Sequence, residues 1–538
     1  MKTINKIIIL FVIIITGLSA CGDWLDLQPE DGVIRDRFWK TKEEAFSALM
    51  GCYASLMEPA TMQRIFVWGE LRADMVEPTA IANPDLIAIQ NGEIVSTNAF
   101  TRWEDIYRTI NQCNTVIELS KYAQEKDMSF SDGLLKQYEA EAVCIRSLAY
   151  FYLVRTFRDV PYITQASIYD DQKFSVPASK QADIVDSLIM DLRKVENDVA
   201  YSHNTLAANK GRFNTMSLKT LLADIYLWKE DYDNTIDLCT QIIGSGQYSL
   251  IPVGREEVLI DGVTPGTQDT VFYVNEGDVT RFFNQMYVVG NSVESIFELQ
   301  FGVDKENGLA FLLLPGSTAL QPKMENFSDE YFLSSQKDRG WFDMRGEGVS
   351  YKQGYVWKWI GLSKDEFLYR QSGTLNNNWI FYRLADVILM KAEALTQKAR
   401  MNGDDQAILQ EALDLVTQIR ERANATESTD MFLGHTGDLS GKSMEEFVLN
   451  ERVRELTFEG KRWYDVLRHA KRNNYATENL NYLMNLAVLA APPEKSYSLQ
   501  KKWMNPGSHY FPIYKGEVGA GNEGGTNKEL EQNEFYKD

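Results

Sequence analysis

Chemistry would first be sought in the segment ERVRELTFEGKRWYDVLR (451–468), where four acidic and five basic side chains surround a lone glycine. Paired carboxylates could serve as general acid and base, and a glycosidase needs two of them set apart across a sugar. The spacing favours a different reading. Leu449, Val453, Leu456, Gly460, Trp463 and Leu467 recur every three or four residues, so one apolar stripe runs through the segment. The charges can pair with one another at i,i+3: Glu451 with Arg454, Arg452 with Glu455, Glu459 with Arg462, and Asp465 with Arg468. Exposed, each such pair contributes only about a few tenths of a kcal/mol. Glu451, Glu455 and Glu459 share one helical face and repel unless arginines from elsewhere intervene. Gly460 falls on the stripe, where a missing Cβ allows close approach of another backbone and the helix bends or breaks. The segment reads as architecture and not as a catalytic constellation.

Other candidate chemistry is sparse. The four histidines, His203, His435, His469 and His509, stand at no metal-ligand spacing, and no metal or cofactor is expected. GHTGDLSGKS (434–443) imitates a phosphate loop, but no buried strand leads into it, and Ser443 with Glu446 reads as a capping box. GAGNEG (519–524) satisfies GxGxxG yet lies fourteen residues from the end, with no room for a βαβ unit. Cys52, Cys113, Cys144 and Cys239 each sit within an apolar helical pattern and read as small buried hydrophobes.

The elements that would position any site are mostly helical. WEDIYRTINQCNTVIEL (103–119) and EAEAVCIRSLAYFYLVRTF (139–157) carry helical periodicity, and 215–243 divides into two helices about KEDYD. WIFYRLADVILMKAEAL (379–395) pairs with ILQEALDLVTQIRERA (408–423) across a turn at Asn402-Gly403. These helix–turn–helix pairs resemble tetratricopeptide units. Residues 250–378 instead alternate turns with short β-prone runs such as ESIFELQF (294–301) and YVWKWIG (355–361). Residues 473–538 also read as loop-rich. Without a linker between the two kinds of sequence, 36–538 is expected to form one domain, its helices mainly within 100–245 and 379–472.

Composition bounds the function. With 44% hydrophobic and 24% charged residues in 538, the chain is a folded globular one. A formal net charge of -21 argues against nucleic acid, whose phosphates need a basic face. MKTINK and the nine-residue apolar run IIILFVIII are too short to span a bilayer and read as a signal peptide (1–20). Ser19-Ala20-Cys21 is similar to a bacterial lipobox, which implies a diacylated Cys21 at the mature N-terminus and a tether over 21–35. Two acyl chains anchor stably where one does not.

Taken in order, LSAC, GDWLDLQP, AFSALMGCYASL (45–56), WEDIYRTINQCN, EAEAVCIRSLAYFYLVRTFRDVPY, YRLADVILMKAEAL, NERVRELTFEGKRWYDVLRHA and FPIYKGEV…LEQNEFY resemble the SusD/RagB-like outer-membrane lipoproteins of Bacteroidetes nearly end to end. The chain departs from that pattern at Arg158, commonly Gly, and at Glu534, commonly Pro. The resemblance implies a mainly α, SusD-like fold, with four TPR-like helix pairs as scaffold and a loop-rich ligand side bearing short β-hairpins. It implies a non-catalytic lipoprotein on the outer membrane, facing the exterior and seated over a SusC-like TonB-dependent transporter. Asp23 and Asp26 resemble the acidic surface-export signal. Members capture oligosaccharides, or in some cases peptides, and pass them on by lid-like opening and closing.

Sugars stack their C–H faces on exposed aromatic rings and satisfy their hydroxyls with planar polar groups. Trp103, Trp228, Trp379 and Trp463 belong to helical patterns, and Tyr355, Trp357 and Trp359 share a strand face that reads as core. Trp341, in KDRGWFDMR, is the favoured ligand platform, with Trp68 and Tyr287 second and Arg72, Asp74 and Asn83 as polar contacts. Two other classes compete with oligosaccharide capture: a secreted glycoside hydrolase on a helical scaffold, and a TPR-like scaffold that binds only proteins.

Overall fold

In the computed structural model, residues 38–168, 175–262, 264–302, 304–327, 343–425, 439–519 and 525–537 are described. The expected signal peptide and tether (1–35), with Cys21, and also Trp341 lie outside them. Helices dominate, as the periodicity predicts. Lys42–Leu56 (α1) starts at a capping box in which Thr41 and Glu44 satisfy each other's backbone N–H groups. Pro59–Glu70 (α2) carries its proline in the first turn, where no N–H is missed. Glu104–Lys126 (α3) and Asp132–Phe157 (α4) pack together, and α4 also meets α1. Every side chain of α4 from Ala140 to Phe157 is buried, so this helix is enclosed on all sides. Gln181–Val195 (α5) covers it. Thr215–Lys229 (α6) and Tyr232–Gly244 (α7) form a hairpin in which Glu230 turns left-handed and Asp231 caps α7.

The second half repeats the pattern. Leu384–Met401 (α8) packs on Gln406–Arg422 (α9), on α7, and on Gly441–Leu456 (α10). Arg462–Tyr475 (α11), Thr477–Ala490 (α12) and Pro493–Trp503 (α13) follow. The last two correct the expectation of loops beyond residue 473. Pro492-Pro493 reads as a breaker, but a proline in the first helical turn is a start signal. Ser440, and not Ser443, caps α10.

Strands are short and pair antiparallel. Val76–Pro78 (β1), Arg255–Asp261 (β2), Gln268–Val274 (β3), Ser295–Leu299 (β4), Leu320–Pro322 (β5) and Trp379–Arg383 (β6) make three two-stranded units, β1 with β5, β2 with β3 and β4 with β6. The β6 strand corrects the helix expected from residue 379. All five of its residues are buried, and a continuous apolar run of that length is as compatible with a buried strand as with a helix. The YVWKWIG run also differs from its expected strand. Only Tyr355 and Val356 are extended, and Trp357–Ile360 closes one helical turn. Both tryptophans are nevertheless core residues.

The charged segment is the keystone of this half. Helix α10 ends at Leu456 and α11 begins at Arg462, and Gly460 between them has φ +72. A Cβ on Gly69 of α2 would lie 2.0 Å from the Gly460 carbonyl oxygen, so the two backbones touch. Glu70 accepts the Gly460 N–H at 2.7 Å and the Lys461 N–H at 3.1 Å. Two of the four expected local pairs form, Glu451–Arg454 at 2.8 Å and Asp465–Arg468 at 2.8 Å. The other two do not: the chain leaves the helix between Glu459 and Arg462, while Arg452 and Glu455, both within α10, are taken by partners on other elements. Glu459 instead bonds Arg383 and Lys358, both at 2.9 Å, while Arg462 reaches Asp74 and Arg452 reaches Asp386 and Asp465. Distant arginines separate the glutamate ladder. Arg345 bridges Glu451 (2.6 Å) and Glu455 (2.8 Å), Arg420 meets Glu451, and Arg383 joins Glu294, Glu455 and Glu459. These groups are buried, so the few tenths of a kcal/mol that apply to exposed pairs do not describe them. Desolvation alone would raise the Glu451 carboxyl, but Arg345, Arg454 and Arg420 outweigh it and hold it at about 2. Glu455 is held well below the usual carboxylate range by Arg422, Arg383 and Arg345 against the same burial.

Candidate functional site

Two loops face solvent where β1 and β5 pair, with Val76 opposite Pro322 and Pro78 opposite Leu320. The first loop continues from β1 through Thr79 to Asn83. The second runs from Leu309 to Ala319 and leads into β5. Thr79 ties them together: its N–H donates to the Ala319 carbonyl (2.9 Å) and its hydroxyl to the Thr318 carbonyl (2.6 Å). Thr318 in turn donates to the carbonyl of Leu314, which ends the single helical turn Ala310–Leu313, and Ala319 to that of Leu312 within it. That turn buries Leu312 and Leu313 and leaves Phe311 61% exposed. Ile81 in the first loop is 67% exposed, and Met324 just after β5 is 41% exposed. Polar groups stand at the rim: Gln321 donates to Glu77 at 2.8 Å, and Lys323 pairs with Glu325 at 3.1 Å.

The residues chosen from sequence lie mostly beneath this surface. Trp68 is buried, its Nε1 donating to the Phe100 carbonyl at 2.8 Å while its ring meets Phe157 edge-on. Tyr287 is buried among Phe282, Phe283 and Trp359. Arg72 is buried over the Trp463 ring and donates to the Ser508 and His509 carbonyls. Asp74 is buried in a bidentate pair with Arg462 at 2.8 and 3.0 Å. None of these four side chains presents a face to a ligand, a correction with one cause: large rings and paired charges are retained where they can be desolvated and satisfied. Asn83 is exposed, and its side chain caps the helix Pro84–Gln90 by accepting from Leu86 N at 3.0 Å. Arg72 and Asp74 do hold the stretch that leads into β1, and the Asp74 carbonyl accepts from Asn326 just after β5. Their part is to position the loops.

Phe311, Ile81 and Met324 were not singled out by sequence. Phe311 sits in GLAFLLLPG, an apolar run whose composition signals burial, and only the one-turn helix turns it outward. Exposed apolar side chains on loops tied together by hydrogen bonds are groups against which a sugar can set its C–H faces. Among the described residues, no three His, Cys, Asp or Glu side chains converge as a metal-ligand set. No helix among them is long and apolar enough to cross a membrane.

Two family models match the chain. One, described as the SusD family, covers residues 328–536, and the other, described as starch-binding and associating with the outer membrane, covers residues 23–231. SusD-type family models thus match the chain over both its N-terminal and C-terminal parts. Two SusD-like proteins of Formosa agariphila are 27% identical over 502 residues (88% of this chain and 93% of theirs) and 23% identical over 495 (86% and 90%). A SusD superfamily crystal structure from Bacteroides vulgatus superposes with a TM-score of 0.68 at 20% identity, covering 93% of this chain and all of that one. One from Bacteroides thetaiotaomicron gives 0.62 at 22% identity, covering 93% and 99%. The mainly helical SusD-like fold is therefore shared along nearly the whole chain. The family that matches residues 23–231 is described as binding starch and associating with the outer membrane.

Proposed function

We propose that this SusD-like protein is a surface lipoprotein, anchored through Cys21, that captures oligosaccharides on the Phe311 face and delivers them uncleaved to a SusC-like TonB-dependent transporter. Trp341 supplies a second aromatic platform in this reading. The observation that carries it is the exposure of Phe311, Ile81 and Met324 on the segments that flank the β1–β5 pair, in a chain that resembles this family. Binding without cleavage is supported by the state of the carboxylates in 451–468. Glu451, Glu455, Glu459 and Asp465 are buried and bound to arginine or lysine, so none is free to protonate or attack a glycosidic bond.

Calorimetric titration of the mature chain with a panel of defined oligosaccharides tests the proposal. It expects saturable binding to at least one glycan, recovery of that glycan at its original length, and weakened binding in Trp341→Ala and Phe311→Ala. Absence of binding across the glycan panel, or shortening of the ligand, would reject it. Loss of membrane retention on Cys21→Ala tests the anchor, and copurification with a large β-barrel tests the transporter.

A further inference from the structure

A second cavity lies away from the loop face, between the start of α4 and the turn at 200–212. It is a solvent-open cleft of about 470 Å³, within the ~300–1,000 Å³ usual for small-molecule sites. Gln137, Tyr138, Ser202, His203, Asn204 and Arg212 line it. The turn is stapled rather than loose. Thr215 donates to the Ala200 carbonyl at 2.9 Å, and the His203 N–H donates to Asn209 Oδ1 at 2.9 Å.

Two of its polar groups are held with one valence spare. Arg212 makes a bidentate pair with Glu141 through Nε (3.0 Å) and Nη2 (2.6 Å). Glu141 is fully buried and also accepts from the Tyr53 hydroxyl. Nη1 of Arg212 has no acceptor among the described residues, so a fixed donor with its charge already compensated remains. His203 Nε2 lies 2.9 Å from the Phe213 carbonyl. A carbonyl only accepts, so Nε2 carries a proton, and in the corresponding single-proton tautomer Nδ1 is the acceptor. The side chains of Gln137, Ser202 and Asn204 likewise have no hydrogen-bond partner among the described residues, while Leu134, Ala200 and Ala208 give apolar wall.

We infer that this cavity is a second carbohydrate site that takes a neutral pyranose unit. Vicinal hydroxyls each donate and accept, which matches a spare arginine nitrogen, a histidine acceptor and two amides that do both. Glu141 has already neutralised the arginine, so a carboxylate-bearing sugar gains no advantage here. The site is independent of the Phe311 face.

The test uses the mature chain with its four histidines labelled with carbon-13 in the ring, and His203 assigned through His203→Gln. Methyl α-glucoside, methyl β-galactoside, methyl α-mannoside and glucuronate are titrated separately. At least one neutral glycoside is expected to move the His203 resonance saturably. Removing both amides, in Gln137→Ala/Asn204→Ala, should weaken half-saturation about tenfold or more. Phe311→Ala should leave the response intact, which separates this site from the loop face. Silence of His203 toward all three neutral glycosides, an unchanged response in the double variant, loss of the response in Phe311→Ala, or a tighter response to glucuronate would each overturn the assignment.

Discussion

Replacing Arg383 with alanine removes five interactions at once. Its Nε and Nη2 bond Glu459 (2.9 Å each), Nη1 bonds Glu294 (2.8 Å) and Glu455 (2.5 Å), and Nη2 also donates to the Glu455 carbonyl (2.6 Å). The three carboxylates left behind are fully buried, yet none is stranded. Arg422 still meets Glu294 and Glu455, Arg345 still meets Glu455, and Lys358 still meets Glu459. The expected cost is therefore that of one broken buried pair, about 3–5 kcal/mol, and not three times that. Unfolding entropy of about 2 cal/mol/K per residue gives about 1 kcal/mol/K for a chain of this size, so the melting temperature should fall by about 3–5 °C. Differential scanning calorimetry measures it, with Arg383→Lys as a variant that keeps charge and loses the fork. A pH series supplies the decisive arm. Glu455 and Glu459 are held below the ordinary carboxylate range in the folded protein, so their stabilisation is complete above the unfolded value near 4.3 and drains as pH falls toward the folded one. Arg383→Ala relaxes that depression, so the gap between wild type and variant should narrow from pH 7 toward pH 3. A gap below about 1 °C, or one that stays constant with pH, would refute the keystone role.

Gly69→Ala places its Cβ on the Gly460 carbonyl and should cost about 1–3 kcal/mol or more, whereas Gly51→Ala, with nothing within 4 Å, should be neutral or slightly stabilising; thermal melts of both decide it. Cys52, Cys113, Cys144 and Cys239 are free and buried, so a thiol reagent should label them only after denaturation, and added reductant should leave the melting temperature unchanged. Phe311→Ala should keep native stability while weakening oligosaccharide affinity roughly two- to tenfold, the worth of one ring contact, as read by titration calorimetry. His509 is buried, which holds its pKa down at about 4 despite a bond to the Trp503 carbonyl; its contribution to stability should be lost as pH falls from 6.5 toward 4, and His509→Gln should flatten that part of the profile.

The sequence makes the scaffold legible wherever helical periodicity runs for several turns, as in 103–119, 139–157 and 215–243. It marks the break at Gly460 because a glycine on an apolar stripe needs a reason. Burial of the charged lattice stayed hidden. Local spacing shows Glu451 beside Arg454, but nothing local shows that Arg345, Arg383 and Arg422 converge on Glu455 from up to 110 residues away. The β6 strand was lost to the ambiguity of a short apolar run followed directly by a helix. The ligand face was obscured for a related reason. Residue types suited to sugar, Trp68 and Tyr287 among them, are also those that fill cores, and only tertiary packing tells the two uses apart.

The bond from Glu70 to the Gly460 amide joins residues 390 positions apart. Its geometry has a temporal side. Helix α2, near the N-terminal end of the described chain, cannot close its packing until the final fifth of the polypeptide arrives, which places a long-range closure late in folding. A chain cut short before residue 460 leaves the Glu70 carboxyl without its amide partners, in surroundings that already push it up to about 8. Quality control of this protein is thereby written into its connectivity: an incomplete copy exposes an unfinished α2 and stands out as a substrate for proteolysis.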